Sequence, residues 1–337
     1  MKTLSKKIGI LAFSLILAVS ASILSACGKP KTPTVEEPKP AYTVTFKQNG
    51  NVKAEVTVTE GEKVDGKNVS APEQETISGQ SGDLVTEWDY DFDTAVTKNI
   101  TVGTVSYTKG LTFKKSLKGS DYVIKGYGGE DTDVYMPDSF KGAAVTAIDA
   151  EAFKNNTELL SVRFPKNLTS IGDHAFSGCK NLSNVDIPET VVKLGANVFA
   201  ECFSFTAFTF PPHITEVPAR AIQGCAFTGR VDVPEGVKTI GAYAFACKST
   251  SILLPKSLRR IEDLALWYNL EEVYYAGGEA DWETVRISEA EYTNRGITFS
   301  AKSITTEKAT LYYYSETGPQ NPELNYWHYV AGVPTPW

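Results

Sequence analysis

Histidine is scarce in this 337-residue chain: His174, His213 and His328 are the whole complement. No HExxH, GxSxG, phosphate-cradling glycine loop or paired set of zinc ligands accompanies them. Spacing therefore reveals no nucleophile–base pair, and the chain reads as non-enzymatic, with no metal and no cofactor. Catalysis by residues distant in sequence is the one alternative left open. Basic excess is also missing, since 33 Lys and Arg face 40 Asp and Glu for a formal net charge of −7. Lys2, Lys6 and Lys7 lie in the first few residues, so the remainder is more acidic still. A nucleic-acid partner needs a basic footprint that this balance does not supply. Long apolar runs are confined to one place, Ile8 to Leu24. Nothing after Cys27 approaches the roughly 20 apolar residues that span a bilayer.

That one run sits in a recognisable order. Lys2, Lys6 and Lys7 precede it, and Leu24-Ser25-Ala26-Cys27 follows it. Positive charge, apolar stretch and small residues make residues 1–26 a secretory signal. A cysteine directly after the small residues resembles the lipobox of bacterial lipoproteins. The resemblance implies cleavage before Cys27 and acylation of its thiol, hence a membrane contact through lipid alone; a transmembrane anchor or a plain secretory signal is the alternative. Residues 27–41 carry four prolines among charged and small residues, GKPKTPTVEEPKPA after the cysteine. Such composition favours extended chain and reads as a tether.

Residues 42–107 change character. Tyr42 to Phe46 alternates, Gln48 to Asn51 supplies turn residues, and Ala54 to Thr59 alternates again, which predicts a hairpin. Trp88, Tyr90 and Phe92 then alternate with Asp89, Asp91 and Asp93, and Ile100 to Tyr107 predicts another strand. The three acids are spaced as in a calcium loop. Thr94 and Ile100 stand where such a loop needs glycine and glutamate. Period-2 alternation is the simpler account: rings toward a core, carboxylates toward water. YTVTFKQNG and WDYDFDTAVTKNITV resemble the Listeria–Bacteroides repeat, which implies a small β-grasp-like spacer; a second glycine after Gly50 and the closing tryptophan are lacking.

The second half repeats. Ile148, Ile171, Leu194, Val217, Ile240 and Ile261 recur at intervals of 23, 23, 23, 23 and 21 residues. Five residues after each comes Phe153, Phe176, Phe199, Ile222, Phe245 or Leu266, and prolines 165, 188, 211, 234 and 255 close five of the units. Such periodicity predicts stacked coils that share one core. Within a coil, Gly172 is expected to allow a tight turn and Asp173 to Gly178 to form about one helical turn. Leu182, Val185 and Ile187 should make a short strand ended by Pro188. Two coils are two residues shorter between turn and strand, from Phe245 to Ile252 and from Leu266 to Val273. The pattern IGxxAFxxCxxLxxVxIP resembles the BspA-type leucine-rich repeat. The expected architecture is an α+β repeat, mostly β: a leucine-rich-repeat solenoid over 111–275 with short helical turns, opened by a degenerate coil at Tyr122 to Pro137.

Cys179, Cys202 and Cys225 fall three residues after the second apolar position and predict a ladder of buried free thiols. A disulfide between adjacent coils is the alternative. Between inward residues of the strands, two outward columns form the candidate binding face. One reads Arg163, Asp186, Thr209, Asp232, Leu253 and Tyr274; the other reads Ser161, Asn184, Ala207, Arg230, Ser251 and Glu272. Stacked strands would make them one continuous sheet face, stickiest near Leu253, Tyr274 and Tyr275. Residues 276–337 leave the repeat and are expected to cap it, with Trp327, Tyr329 and Trp337 as an alternative carbohydrate-stacking site. The BspA-type resemblance implies adhesion; with the lipobox, the expected object is a lipid-anchored surface protein, a monomer, that binds a protein or glycan partner. A scaffold or spacer without a ligand is the competing reading.

Overall fold

Two hydrophobic cores divide the described chain, and the boundary falls inside what the sequence presents as one strand. The computed structural model describes residues 37–78, 82–183, 185–267, 269–294 and 296–337, so Cys27 and the expected leader lie outside the described residues. The first core gathers Val44, Phe46, Trp88, Tyr90 and Val102 among its members. Its strands are β1 (Ala41–Gln48), β2 (Asn51–Thr59), β3 (Leu84–Trp88), β4 (Ile100–Val102) and β5 (Thr104–Thr108). The hairpin β1–β2 forms around Asn49 and Gly50, both with positive φ as such a turn requires. β4 adds to β1 in parallel, whereas β5 pairs antiparallel with β3. The single strand expected from Ile100 to Tyr107 is therefore broken at Gly103, where the chain passes from one sheet to another. Val102 faces the first core, and Val105 and Tyr107 pack into the second.

The alternating aromatics and acids are half as expected. Phe46 meets Trp88, Tyr90 and Phe92 at centroid distances of 5.3, 5.8 and 5.9 Å, so the rings do turn inward. The strand ends at Trp88, however, and only Asp93 turns its carboxylate to water. Asp89 accepts a hydrogen bond from Ser139 Oγ and another from the Gly142 amide at 2.6 Å. Asp91 pairs with Lys115 at 3.0 Å. These partners lie in the repeat half, so two of the carboxylates fasten the small module onto the coils.

The coils begin with β6 (Leu111–Lys115), β7 (Tyr122–Tyr127), β8 (Asp133–Tyr135), β9 (Ser139–Phe140), β10 (Ala143–Ile148) and β11 (Ser161–Arg163). Two-residue strands follow at the repeating apolar position: β12 (Ser170–Ile171), β13 (Lys193–Leu194) and β14 (Glu216–Val217). Then come β15 (Val231–Asp232), β16 (Thr239–Ile240), β17 (Ser251–Leu254), β18 (Arg260–Ile261) and β19 (Glu272–Tyr275). Each pairs in parallel with its counterpart one coil away, as Ile148 with Ile171 and Ile171 with Leu194. Both predicted apolar columns are buried throughout. The rings of Phe153, Phe176 and Phe199 stack at 5.0 and 5.5 Å, which carries the core from coil to coil.

No helical turn forms at Asp173 to Gly178. Instead, Glu151, His174, Asn197, Arg220, Tyr243 and Leu264, three residues after each repeating aliphatic, all take positive φ. A left-handed residue costs a non-glycine side chain about 1–2 kcal/mol. The cost is offset by backbone bonds to the next coil: His174 N–H donates to Ala196, Asn197 to Ala219, Arg220 to Ala242 and Tyr243 to Asp263. A second left-handed column, Asn155, Gly178, Glu201 and Gly224, recurs four residues later. Cys247, four residues after Tyr243, is not left-handed, and the first shortened coil departs from the column there. Gly172 also has a different reason from a tight turn. A Cβ there would lie 2.5 Å from the Ala150 amide nitrogen, so the glycine is needed for close approach between coils.

Both sheets break in the middle of the stack. On one side the order is β13-β12-β10-β7-β6, and then β14-β16-β18 with no pairing between β13 and β14. Gly172, Gly195 and Gly241 each donate to the carbonyl one coil back. Pro218 holds that position in the coil of β14 and has no N–H to give Leu194. On the other side β11 pairs only with β8, and the next strand in that position is β15. The strand expected at Leu182 to Ile187 does not form among the described residues, nor does one at 205–210. Phe205, Phe208 and Phe210 replace the smaller Leu182, Val185 and Ile187 there. Their rings pack against one another at the level where the sheet is interrupted.

The tail covers the last coil. It contains the short helix α1 (Glu279–Trp282), β20 (Arg286–Ile287), the hairpin β21 (Tyr292–Asn294) and β22 (Ile297–Phe299), then β23 (Thr310–Tyr314), β24 (Asn325–Val330) and β25 (Val333–Pro336). β20 extends the first sheet beside β18, and β23, β24 and β25 extend the second beside β19. Pro334 and Pro336 on the outermost strand remove donors from the open edge.

Replacing Phe176, fully buried in the ring stack, with alanine is expected to cost about 3–5 kcal/mol in denaturant unfolding. The exposed Lys180, changed to alanine, should stay within about 0.5 kcal/mol. The module junction should be acid-sensitive. Hydrogen bonding from Lys115 holds the Asp91 carboxyl below its ordinary value. A depressed folded value stabilises above the unfolded value of about 3.9 and is lost as pH falls through the folded one. The stability gap between the native chain and Asp91→Asn should therefore be full at neutral pH and close progressively below about pH 4, as read by urea titration across pH.

Candidate binding surface

The outward columns do not form one continuous face. Asp186 and Thr209 are exposed, but they lie on the coils between β11 and β15 that contribute no strand to this second sheet. Asn184 lies outside the described residues. Arg230 and Asp232 are joined across one strand by a two-pronged ion pair, with Nη2 to Oδ2 at 2.9 Å. Leu253 is half-buried, and Tyr274 is only 5% exposed. Tyr274 stacks on Tyr312 of β23 at 5.0 Å and meets Trp327 edge-on at 5.8 Å. The expected sticky end is thus covered by the chain's own tail, because β23 continues the sheet beside it. Tyr275 is wholly buried.

The aromatic trio is likewise divided. Trp327 is 0% exposed and its Nε1–H donates to the Tyr275 carbonyl at 2.8 Å, so it belongs to the covering of the last coil. Tyr329, 50% exposed, stands two residues on along β24 and packs edge-on against Trp327 at 5.0 Å. Trp337, 51% exposed, stacks on His328 at 3.8 Å. Alternation along β24 puts His328 on the opposite face from Trp327 and Tyr329. The three rings share no common platform.

What the structure does assemble is a pair of depressions where the second sheet is interrupted. One, of about 500 Å³, is bordered by Val185, Asp186, Thr209, Phe210 and Pro211. The other, of about 440 Å³, is bordered by Arg163, Lys166, Asp186, Glu189 and Thr190. Val162, Asp186 and Glu189 border both. Arg163 is held over the ring of Tyr135 at 4.4 Å, the residue in register with it on β8. Its Nη1 is buried and has no hydrogen-bond partner among the described residues. The face of the Tyr135 ring under the guanidinium offsets part of that loss. Sequence reading placed Arg163 and Asp186 in one column but missed the depressions. The signal was present in the three phenylalanines 205, 208 and 210 and in Pro218, each out of pattern for its position.

The histidines stay apart: His174 in a left-handed turn, His213 on an exposed loop and His328 under Trp337. Cys179, Cys202 and Cys225 form the expected ladder, and these and Cys247 are buried free thiols. Each of the three donates its S–H to a carbonyl of the preceding coil, Phe153, Phe176 or Phe199, at 3.1 to 3.3 Å. Asn156 holds the place in the first coil and satisfies the amides of Glu158 and Leu159 instead. Burial pushes the Cys179 and Cys225 thiols up to about 12 and raises that of Cys202 as well. Such thiols have almost no nucleophilic thiolate at neutral pH.

Comparison with known proteins places the repeats. Residues 146–271 match the BspA type leucine rich repeat region in six copies. Among solved structures, a Treponema pallidum leucine rich repeat protein is 24% identical over 49% of this chain and 79% of its own, with TM-score 0.45. A leucine rich cell surface protein from Faecalibacterium prausnitzii is 22% identical over 57% of each chain, with TM-score 0.46. A leucine-rich repeat protein from Eubacterium ventriosum is 21% identical over 58% of this chain and 52% of its own, with TM-score 0.38. This chain thus spans less than two thirds of the latter two. No curated protein matches the chain.

The thiol ladder should be inert to an aromatic disulfide reagent in the native state at pH 8. All four buried cysteines should react once guanidinium unfolds the chain, as counted by released chromophore.

Proposed function

We propose that this chain is a lipid-anchored bacterial surface protein whose solenoid binds a protein or glycan partner at the interrupted sheet around Arg163 and Asp186. Cys27 is the lipid attachment point in this reading, residues 27–41 are the tether, and the module at 42–107 is a β-grasp-like spacer. Among the described residues no helix is long and apolar enough to cross a membrane. The observation that carries the binding site is a depression bordered by Arg163 and Lys166 on one side of the charge balance and by Asp186 and Glu189 on the other. Charges of both signs beside the apolar Val162 and Val185 suit hydroxyl-rich or peptide ligands, whose donors and acceptors alternate.

The full chain, applied to a glycan array and a panel of extracellular-matrix proteins, is expected to give at least one saturable ligand. Arg163→Gln and Asp186→Lys should each weaken it tenfold or more while the melting temperature holds. Binding that ignores both substitutions would move the site elsewhere, and absence of any ligand would favour a scaffold or spacer role.

A further inference from the structure

The opposite sheet carries a second feature, independent of the depressions around Asp186. In the strands at the repeating aliphatic position, the outward residue just before each aliphatic reads Ala147, Ser170, Lys193, Glu216, Thr239, Arg260 and, beyond the repeats, Arg286. Arg260 and Arg286 are direct register partners on β18 and β20. Lys238 and Arg259 precede Thr239 and Arg260. The amides of Arg259 and Arg260 both donate to the Lys238 carbonyl, and that of Arg286 donates to the Arg259 carbonyl. Four cations therefore occupy three consecutive hydrogen-bonded segments, and all four are exposed.

Acids stand around them, most with partners of their own. Glu262 pairs with Arg260 at 3.4 Å. Asp281 is held by Lys256 at 3.1 Å and lies within Coulombic reach of Arg259, whose Nη1 donates to the Lys256 and Leu258 carbonyls at 3.1 and 2.7 Å and leaves its remaining N–H groups for a ligand. Asp263 bonds Ser288, Glu289 pairs with Lys302, and Glu216 stands one strand beyond Thr239. Among the described residues, the side chains of Lys238 and Arg286 have no partner. Like charges directly opposed on neighbouring strands destabilise a sheet. Residues that break a local rule without a structural gain are expected where function is served. Here the rule is broken by β20, which comes from outside the repeat region and could have covered the last strand with any side chain.

We propose that Lys238, Arg259, Arg260 and Arg286 form a binding strip for a polyanionic polysaccharide, one bearing sulfate or phosphate groups along its length. The strip crosses successive strands at about 4.8 Å per step, a spacing commensurate with charges on consecutive sugar rings. Its width of three strands suits a single flexible chain. A rigid duplex would bring the rest of this acidic protein, formal net charge −7, against its phosphates. Arginine forks match sulfate and phosphate oxygens two at a time.

The test uses the full chain with dextran sulfate as probe, neutral dextran and duplex DNA as competitors, and a salt series. The native protein is expected to bind dextran sulfate with an affinity that falls as salt rises and is unaffected by neutral dextran. Arg260→Ser combined with Arg286→Ser, using the residue of the Ser170 position, should weaken binding tenfold or more and flatten the salt dependence by about two charges. Its melting temperature should hold or rise, because the opposed arginines are gone. Lys238→Thr, on an exposed position, supplies a second variant whose affinity should fall severalfold whatever the double variant does to folding. Undiminished binding by both variants would overturn the proposal, as would competition by neutral dextran. Tighter binding of duplex DNA than of dextran sulfate would overturn the assignment to a polysaccharide.

Discussion

Each coil is built against the backbone of the next, and that single requirement explains most of the fold. The N–H of a left-handed residue donates to a carbonyl 22 residues on, from His174 to Ala196 and from Asn197 to Ala219. A bond of this kind fixes the position of the acceptor coil to within a few tenths of an ångström. Any coil of different backbone shape would leave such groups unpaired, and buried amides without partners are costly. The repeat is therefore enforced by hydrogen-bond geometry at the turns and by ring stacking in the core. The left-handed conformation of Glu151, His174 and Arg220, unfavourable in isolation, persists because each N–H is held by a carbonyl of the next coil.

Departures from the pattern are tolerated where only one face of the coil changes. Pro218 removes one donor and ends pairing between β13 and β14, yet Asn197, Phe199 and Glu201 still donate to the following coil. The three phenylalanines at 205, 208 and 210 pack where the other sheet is interrupted at the same level, while Phe199 continues the core contact through Phe205. The turn side thus holds the stack together as both sheets part. That division of labour lets one region of the surface become concave and chemically mixed without loss of the underlying order. It is also why the depressions around Asp186 lie mid-stack, and why the end of the stack is taken up by capping strands.

The small N-terminal module shows how a charge pattern misleads when read locally. Asp89, Asp91 and Asp93 alternate with aromatic rings, and alternation alone assigns all three to water. The strand stops at Trp88, however, and the solenoid-side Ser139, Gly142 and Lys115 supply donors that no local pattern could predict. The break at Gly103 matters for a related reason: one β-rich stretch serves two cores, with Val102 in the first and Val105 in the second.

By itself the sequence determined the number of coils, the two buried columns, the thiol ladder beneath them and the positions where two residues are missing. Those features were legible because a 23-residue period repeats each local choice, so that in and out are read several times over. Tertiary structure decided what happens between segments distant in the chain. It buried Tyr274 and Trp327 under the tail, separated Trp337 from Tyr329, tied Asp89 and Asp91 to the coils and brought Arg286 into register with Arg260. Such contacts depend on how non-repeating chain lands on a repeating surface, and no periodicity carries that information.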